Sequence, residues 1–559
     1  MDKPVRKIFI GVAWPYVNGN IHFGHLAGYL IPADIFARFN RFSGNEVMMV
    51  SGSDCFGTPV TVEADKRQTN PKAIVAEYHP QHEALFNKLQ LSFDLYTQTD
   101  NPVHKEIVQD LFVTLLEKGF LYKDRTEQYF SETEKRFLPD RYVEGTCPFC
   151  NDTEARSDQC DNCGKVLAQG ELINPVSKLN KALVTMKETE HYFFDWPKLE
   201  SFLTTYVSQY GPSWRPWIYN ESKNWLENGL KPRAITRDLD WGVEIPADRI
   251  PNDQLIEDYE HKRIYVWFEA VIGYLSASIK LSRNNNTPDN WQEFWHNTDA
   301  KHYYFMGKDN LVFHTIFWPG QLHAYDEKLH LPDFPAVNQF LTLNNQAFSK
   351  SFGVTLDPNK ILEDFDLDLI RIYLCLIMPE NHDSDFSWDD FIAKTNNVVI
   401  ANLGNFLFRT IKLSEGLNFS TTSADPAVIS EVTGSLEEAH KLLTGCNFKK
   451  YAEKIMELSA FGNKYLSDTT PWIVKKTDEE KYRTIMHSAL LISLALGVLL
   501  TPVTPQSATK LFTMMSVNID QWPSIEILQG LIKNLIIKNP EPLFKKIDAD
   551  PADFNEKYK

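Results

Sequence analysis

At 559 residues, with 43% apolar and 23% charged side chains, the chain has the make-up of a soluble globular protein of about three or four compact units. Its formal charge of −17 excludes broad, nonspecific nucleic-acid binding, which requires a basic footprint, but not an RNA docked on a local basic stripe. The longest apolar stretch, Ala489 to Leu500, is too short to span a bilayer and reads as a buried helix. No targeting segment is read, so cytoplasmic residence is the expectation.

In chain order, Ile8 to Val12 reads as a buried strand. It leads into Pro15-Tyr16-Val17-Asn18-Gly19-Asn20-Ile21-His22-Phe23-Gly24-His25, after which apolar residues recur at helical spacing from Leu26 to Phe42. His22 and His25 therefore share one face at a helix start. Such a start offers unpaired N–H groups and partial positive charge, which favour a phosphate. The two rings add donors that follow charge on a transferring phosphoryl group, and Gly24 leaves room for a flat base. Alone, a His-x-x-His tetrapeptide is as readily a helix cap. Glu46–Val50 and a helix near Pro71–Leu89 continue the alternation, so residues 1–115 read as α/β.

From 116 to 234 the pattern breaks into short segments with aromatics such as Tyr192-Phe193-Phe194, which reads as an insertion between two halves of a sheet. Within it, at about 140–170, stand Cys147-x2-Cys150 and Cys160-x2-Cys163. Two such pairs make a four-thiolate knuckle, and zinc prefers tetrahedral sulfur; with no open position the metal is structural. The competing disulfide reading requires an oxidising compartment. Cys55, Cys375 and Cys446 read as core residues.

The α/β pattern resumes over 235–325 with Arg263 to Phe268 and Tyr303 to Met306. Within 326–395, Ala336 to Leu343 leads into Ala347-Phe348-Ser349-Lys350-Ser351-Phe352-Gly353, a small-residue loop with one ammonium. Helical periodicity dominates 396–545, including Asn396–Ile411, Phe448–Leu466 and Tyr482–Leu500. Pro502 and Pro505 are expected to end the last of these, and the charged tail 546–559 to fray.

Taken in order, HFGH at His22–His25 and FSKS at Phe348–Ser351 resemble the paired signatures of class I aminoacyl-tRNA synthetases. In that family the pair brackets ATP on a Rossmann-type sheet. The spacing leaves no room for the editing insertion of the leucine, isoleucine and valine enzymes. The clustered cysteines differ from the scattered zinc ligands of the cysteine enzyme. Ala13 to Gly19, Gly52 to Pro59, Tyr265 to Tyr274, Gly307 to Asn310 and Phe313 to Pro319 look like methionyl-tRNA synthetases, in the same order along the chain.

The resemblance implies a Rossmann-type parallel-sheet catalytic domain in two halves, 1–115 and 235–325, separated by the zinc-knuckle insertion 116–234. A stem-contact region, 326–395, and an all-α helix-bundle anticodon-binding domain, 396–545, would follow. It implies methionyl adenylate formation from methionine and ATP, then transfer to initiator and elongator tRNA(Met). His22, His25 and Lys350 are the implied catalytic residues. ATP, with Mg²⁺, would be held by these three together with Gly24, Gly307, Asp309, Ser349 and Ser351. Methionine would lie among Ala13, Trp14, Tyr16, Asp54, Trp267, Tyr274 and His314, with Asp54 on its α-ammonium and ring edges on its thioether. Outside the family, Asp54 reads as a turn aspartate and Trp267 and Tyr274 as core aromatics. Arg237 resembles a family arginine near the active site; the alternative is a solvent salt bridge.

Asn402, Arg409 and Trp472 would face the anticodon, an indole stacking on a splayed base. The chain departs from the family pattern at four places. Val271 stands for a common proline, Asn310 for an apolar residue, Ala347 for the lysine leading the loop, and Phe406 for an arginine that Arg409 replaces from the next turn. Phe406 itself reads as helix packing. A monomer is expected. The rivals are a smaller nucleotidyltransferase using the same histidine pair, and a catalytically dead RNA-binding descendant of a synthetase. The helical domain opposes the first, and the intact His22, His25, Asp54 and Lys350 oppose the second.

Overall fold

The computed structural model describes residues 5–558 apart from 140–141, 158–159, 161, 164–166, 168–169 and 349–353. Ser349, Lys350 and Ser351, expected at the phosphates, lie outside the described residues.

Strand β1 (Lys7–Val12) is buried almost end to end, as a central parallel strand covered on both faces must be. Its exit loop enters α1 (Phe23–His25), one turn that passes through a wide π-type turn, Leu26–Leu30, into α2 (Ile31–Phe42). Strands β2 (Glu46–Ser53) and β3 (Leu95–Gln98) follow.

The insertion is not made only of short segments. Strands β4 (Leu121–Ser131) and β5 (Thr185–Phe194) form a long antiparallel ribbon, in register from Leu121↔Phe194 to Phe130↔Thr185. Lys123, Asp124, Arg125 and Glu127 all face solvent, so the ribbon lacks the apolar alternation that marks a half-buried strand. The cysteine knuckle lies between its two strands in sequence and has a small core of its own around Tyr129, Leu138 and Val143.

A second correction concerns Arg263 to Phe268. Only β7 (Lys262–Ile264) is extended; it pairs antiparallel with β6 (Thr236–Asp238), and Val266–Glu269 turns helical. A short apolar run fits a buried strand or a buried helical turn equally well. Helix α3 (Gly273–Asn284) leads on to β8 (Lys301–Gly307). A second π-type turn, Phe313–Phe317, follows, then α4 (Trp318–Tyr325), β9 (Phe334–Asn338) and β10 (Leu341–Leu343).

The main sheet has the order β9-β8-β1-β2-β3, all parallel. From β1 the chain continues to one side and from β8 to the other, so the strand order reverses between them. Open parallel sheets bind ligands in the crevice beyond the carboxyl ends at such a point. The His22–His25 turn follows β1, and Gly307 to Asp309 follow β8.

The rest is helical: α5 (Leu367–Leu376), a third π-type turn at Thr395–Gly404, α6 (Asn405–Leu413), α7 (Phe448–Thr469), α8 (Glu479–Val503) and α9 (Pro505–Met514). By length and composition α8 is apolar enough to cross a membrane, yet it is buried along its length as the axis of the helical part. Pro502 does not end it. The helix runs one residue further, and Pro505 opens α9 instead, where a missing N–H costs nothing. Arg371 of α5 takes the carbonyls left open at the end of α8, Nε donating to Val503 at 2.6 Å and Nη2 to Pro502 at 3.3 Å. The same guanidinium donates to the Asp34 carboxylate of α2 at 2.6 Å, with both side chains fully buried. Asp34 stays below the usual carboxylate range: burial raises it, but Arg371, Arg38 and the Ser92 hydrogen bond outweigh that.

Candidate active site

His22 caps α1. Its Nδ1 accepts from Gly24 N at 3.1 Å, while His25 Nδ1 accepts from His22 N at 3.1 Å. Each ring nitrogen that receives a backbone N–H carries no proton, so Nε2 is the protonated, donating nitrogen on both rings. The ring centroids lie 3.9 Å apart. Phe348, the first residue of the FSKS loop, stacks on His22 at 5.0 Å with 9° between planes. Phe348 and His22, more than 300 residues apart in sequence, therefore meet at the switch point. A Cβ at Gly24 would stand 2.9 Å from the His22 ring and 3.3 Å from Phe348.

Next to this turn, the segment after β1 is stitched to the loop after β2. Asp54 N donates to Pro15 O at 2.9 Å, and Val17 N to Asp54 O at 3.2 Å. Ala13 N donates to Phe305 O of β8 at 2.8 Å. Trp14 is wedged between two glycines; a Cβ would lie 2.2 Å from its ring at Gly52 and 2.8 Å at Gly273. The Tyr16 ring lies equally close on Gly57. Asp54 is buried, and that burial raises its carboxyl well above the usual range. A substrate ammonium would restore the carboxylate.

The pocket floor is Tyr274 and His314. His314 Nδ1 donates to Asn310 O at 2.9 Å, and burial lowers its pKa to about 4, so the neutral ring offers Nε2 as an acceptor. Tyr274 Oη donates to it at 2.8 Å. Trp267 and Phe313 pack with ring centroids 4.4 Å apart, tilted by 41°, as one wall, and Phe313 and His314 both sit on the second π-type turn. Such turns widen a helix locally and often mark functional positions. Among the described residues all three carry or adjoin an expected site residue: His25, His314 and Asn402.

Behind Trp14 lies a buried pair that sequence reading missed. Glu269 Oε2 and His104 Nε2 are 2.6 Å apart, and His104 Nδ1 donates to Ser276 Oγ at 2.9 Å. Burial lowers His104 to about 3 and raises Glu269, so a single proton sits between two uncharged partners. The residues are 165 apart in sequence, and no local pattern links them.

Asp309 reaches solvent inside the cleft, its carboxyl raised by the protein around it, and a Cβ at Gly307 would stand 2.9 Å from its Oδ1. Arg237 also faces the cleft. Its guanidinium covers Tyr265 at 4.3 Å and donates to the carbonyls of Ala234 and Thr236, both at 2.9 Å. Among the described residues it makes no salt bridge. Phe313 and Arg233, which share this cavity, were missed as well. Arg233 carries a readable signal, since residues four apart on an extended segment, here 233 and 237, point the same way.

Outside the cleft, the sulfurs of Cys147, Cys150, Cys160 and Cys163 all lie within 4.8 Å of one another. Cys147–Cys163 and Cys150–Cys160 are 3.8 and 3.6 Å apart. A tetrahedron with Zn–S bonds of about 2.3 Å has edges of about 3.8 Å, so the donor set fits that ion. In the helical part, Trp472 is 40% exposed, with the Arg409 guanidinium 5.5 Å from its ring. The Asn402 amide is engaged with α7, donating to Met456 O at 2.9 Å and accepting from Asn463 and Ser459. Phe406 is fully buried against Gly462, as its packing reading requires.

Residues 8–411 match the family described as tRNA synthetases class I (M), and residues 418–559 the anticodon binding domain of methionyl tRNA ligase. The methionine–tRNA ligase of Chloroflexus aggregans is 41% identical across 97% of both chains. The chain belongs to the methionyl-tRNA synthetase family. The methionine–tRNA ligase of Thermoplasma volcanium is 38% identical over 97% of this chain and 98% of its own. The fold matches the Mycobacterium tuberculosis methionyl-tRNA synthetase in complex with methionyl-adenylate, with a TM-score of 0.77, 22% identity, and coverage of 97% of this chain and all of that one. The class I catalytic sheet, the inserted cysteine knuckle and the helical C-terminal part are thus the family's architecture.

Proposed function

We propose that this chain is a methionine–tRNA ligase. It activates methionine with ATP, releasing pyrophosphate, and passes the methionyl group from the adenylate to the 3′-terminal adenosine of tRNA(Met), for initiation and elongation. The observation that carries this reading is Phe348, which leads into the FSKS loop, stacked on His22 of the histidine turn beside an aromatic pocket.

No covalent enzyme intermediate is required, so positioning and electrostatics do the work. Asp54 holds the α-ammonium, and its carboxylate re-forms as that charge arrives. Tyr274 and His314 close the pocket around the thioether, with Trp267 at its side. His22 and His25 turn their Nε2–H donors to the α-phosphate as the methionine carboxylate attacks. Gly24 leaves the base its place, and Asp309 accepts from the ribose hydroxyls next to Gly307. By family resemblance Lys350, between Ser349 and Ser351, neutralises the departing pyrophosphate.

ATP would arrive with Mg²⁺, which would screen the triphosphate charge. Cys147, Cys150, Cys160 and Cys163 would hold zinc, which would fix the insertion, a role supported by the sulfur spacing. The reduced thiols it needs also support a cytoplasmic place. Arg409 and Trp472 offer the anticodon a stacking surface that Asn402 anchors to α7. The chain acts as a monomer in this reading. ATP–pyrophosphate exchange with each of the twenty amino acids tests it: methionine alone should sustain exchange, and a different preferred amino acid would overturn the assignment.

A further inference from the structure

A cavity of about 600 Å³ opens beside Trp267 and Asp309. Two guanidiniums line it. Arg233 lies across two rings, 5.4 Å from the Trp225 centroid and 5.0 Å from that of Phe317. Arg237 lies over Tyr265 on the same cavity wall. Among the described residues neither has a carboxylate partner, in a chain whose formal charge is −17. Burial among the rings, and then the charge of Arg237, pull the Arg233 pKa below its ordinary value. Two like charges held together without a counter-ion are relieved by an anion placed between them.

The rings define the rest of the ligand. Trp225, Tyr265, Trp267 and Phe313 are only half-buried, so part of each ring reaches the cavity. Accessible aromatic rings beside guanidiniums suit a single-stranded polynucleotide, whose bases stack and whose phosphates pair with arginine. A small inorganic anion would leave those rings wet. Because Asp309 and Trp267 belong both to this cavity and to the cleft, a strand lying here ends at the activated amino acid.

We propose that Arg233 binds a backbone phosphate of the single-stranded 3′ end of tRNA, with a neighbouring base stacked on Trp225. The inference rests on the ligase reading above and names where its second substrate enters. In this placement Arg233 serves transfer rather than adenylate formation.

The test is a binding cycle with intact tRNA(Met) and the same tRNA lacking its last three nucleotides. Arg233→Ala should weaken intact tRNA about tenfold, the worth of one stacked and paired nucleotide. It should leave the shortened tRNA and methionine-dependent exchange unchanged. The salt dependence of binding should also flatten, by about 0.7 in the logarithmic slope, as one single-strand phosphate contact is lost. Arg233→Lys should keep that slope while losing the ring contacts. Equal weakening with both tRNAs, no weakening, or a parallel loss of exchange would overturn the placement. Wild-type protein without methionine-dependent exchange would remove the ligase reading and this one with it.

Discussion

In the amino-acid pocket Trp14 is wedged between Gly52 and Gly273, while at the far end of the helical part Trp472 stands 40% exposed beneath one arginine. The first indole has no freedom, and the surfaces around it are fixed by hydrogen-bond chains: Tyr274 to His314 to Asn310, and Glu269 to His104 to Ser276. The second has an open face. Chemistry on a developing phosphoryl charge needs donors already in place, because reorganising them would consume the stabilisation they provide. Reading a splayed base needs an accessible ring that the base can cover. The same residue type is therefore locked where a reaction occurs and exposed where a polymer is recognised.

The largest expected effect separates the two regions completely. His25→Ala removes one Nε2–H donor and the cap on the His22 backbone N–H, so methionine-dependent ATP–pyrophosphate exchange should fall by roughly 10²–10³. Binding of tRNA should persist. Near-normal exchange in this variant would mean that the histidine turn is only a helix cap.

A smaller and opposite effect is expected at the exposed end. Trp472→Ala should lower kcat/KM for tRNA about tenfold in aminoacylation, within the usual worth of one base–aromatic stack, while exchange is unchanged. The matching Arg409→Ala should cost less, since the indole remains. Equal losses in both assays would place Trp472 in folding rather than recognition.

The two regions also differ in how much of them the sequence discloses. The His22–His25 turn is readable because a fully buried strand and a helical period bracket it, and the cysteine knuckle because its spacing is itself the ligand geometry. The β4–β5 ribbon is not, since its solvent-facing Lys123, Asp124 and Arg125 erase the period-two signal. The Glu269–His104 pair is invisible for a different reason: only the tertiary packing of two helical segments brings together residues 165 apart. Pro502 misleads because a proline normally stops a helix, whereas here Arg371 satisfies the open carbonyls and the last turn survives. Asn402 shows a motif residue doing structural work, its amide holding α7 in place.

The mildest test of the locked region is a pH dependence. Burial raises the Asp54 carboxyl above its value in an unfolded chain, so the folded protein holds this proton more tightly. The associated stability is fully present below the ordinary aspartate pKa and is lost as pH rises through the raised one. Free protein should therefore lose thermal stability with rising pH over that window relative to Asp54→Asn, which keeps an acceptor for the Phe56 N–H but cannot ionise. Saturating methionine should abolish the difference, because its ammonium stabilises the charged carboxylate and each methionine bound below the raised pKa displaces one proton. Melting curves of both proteins, with and without methionine, read the sign directly. A wild-type curve that parallels Asp54→Asn at every pH would place the methionine ammonium elsewhere in the pocket.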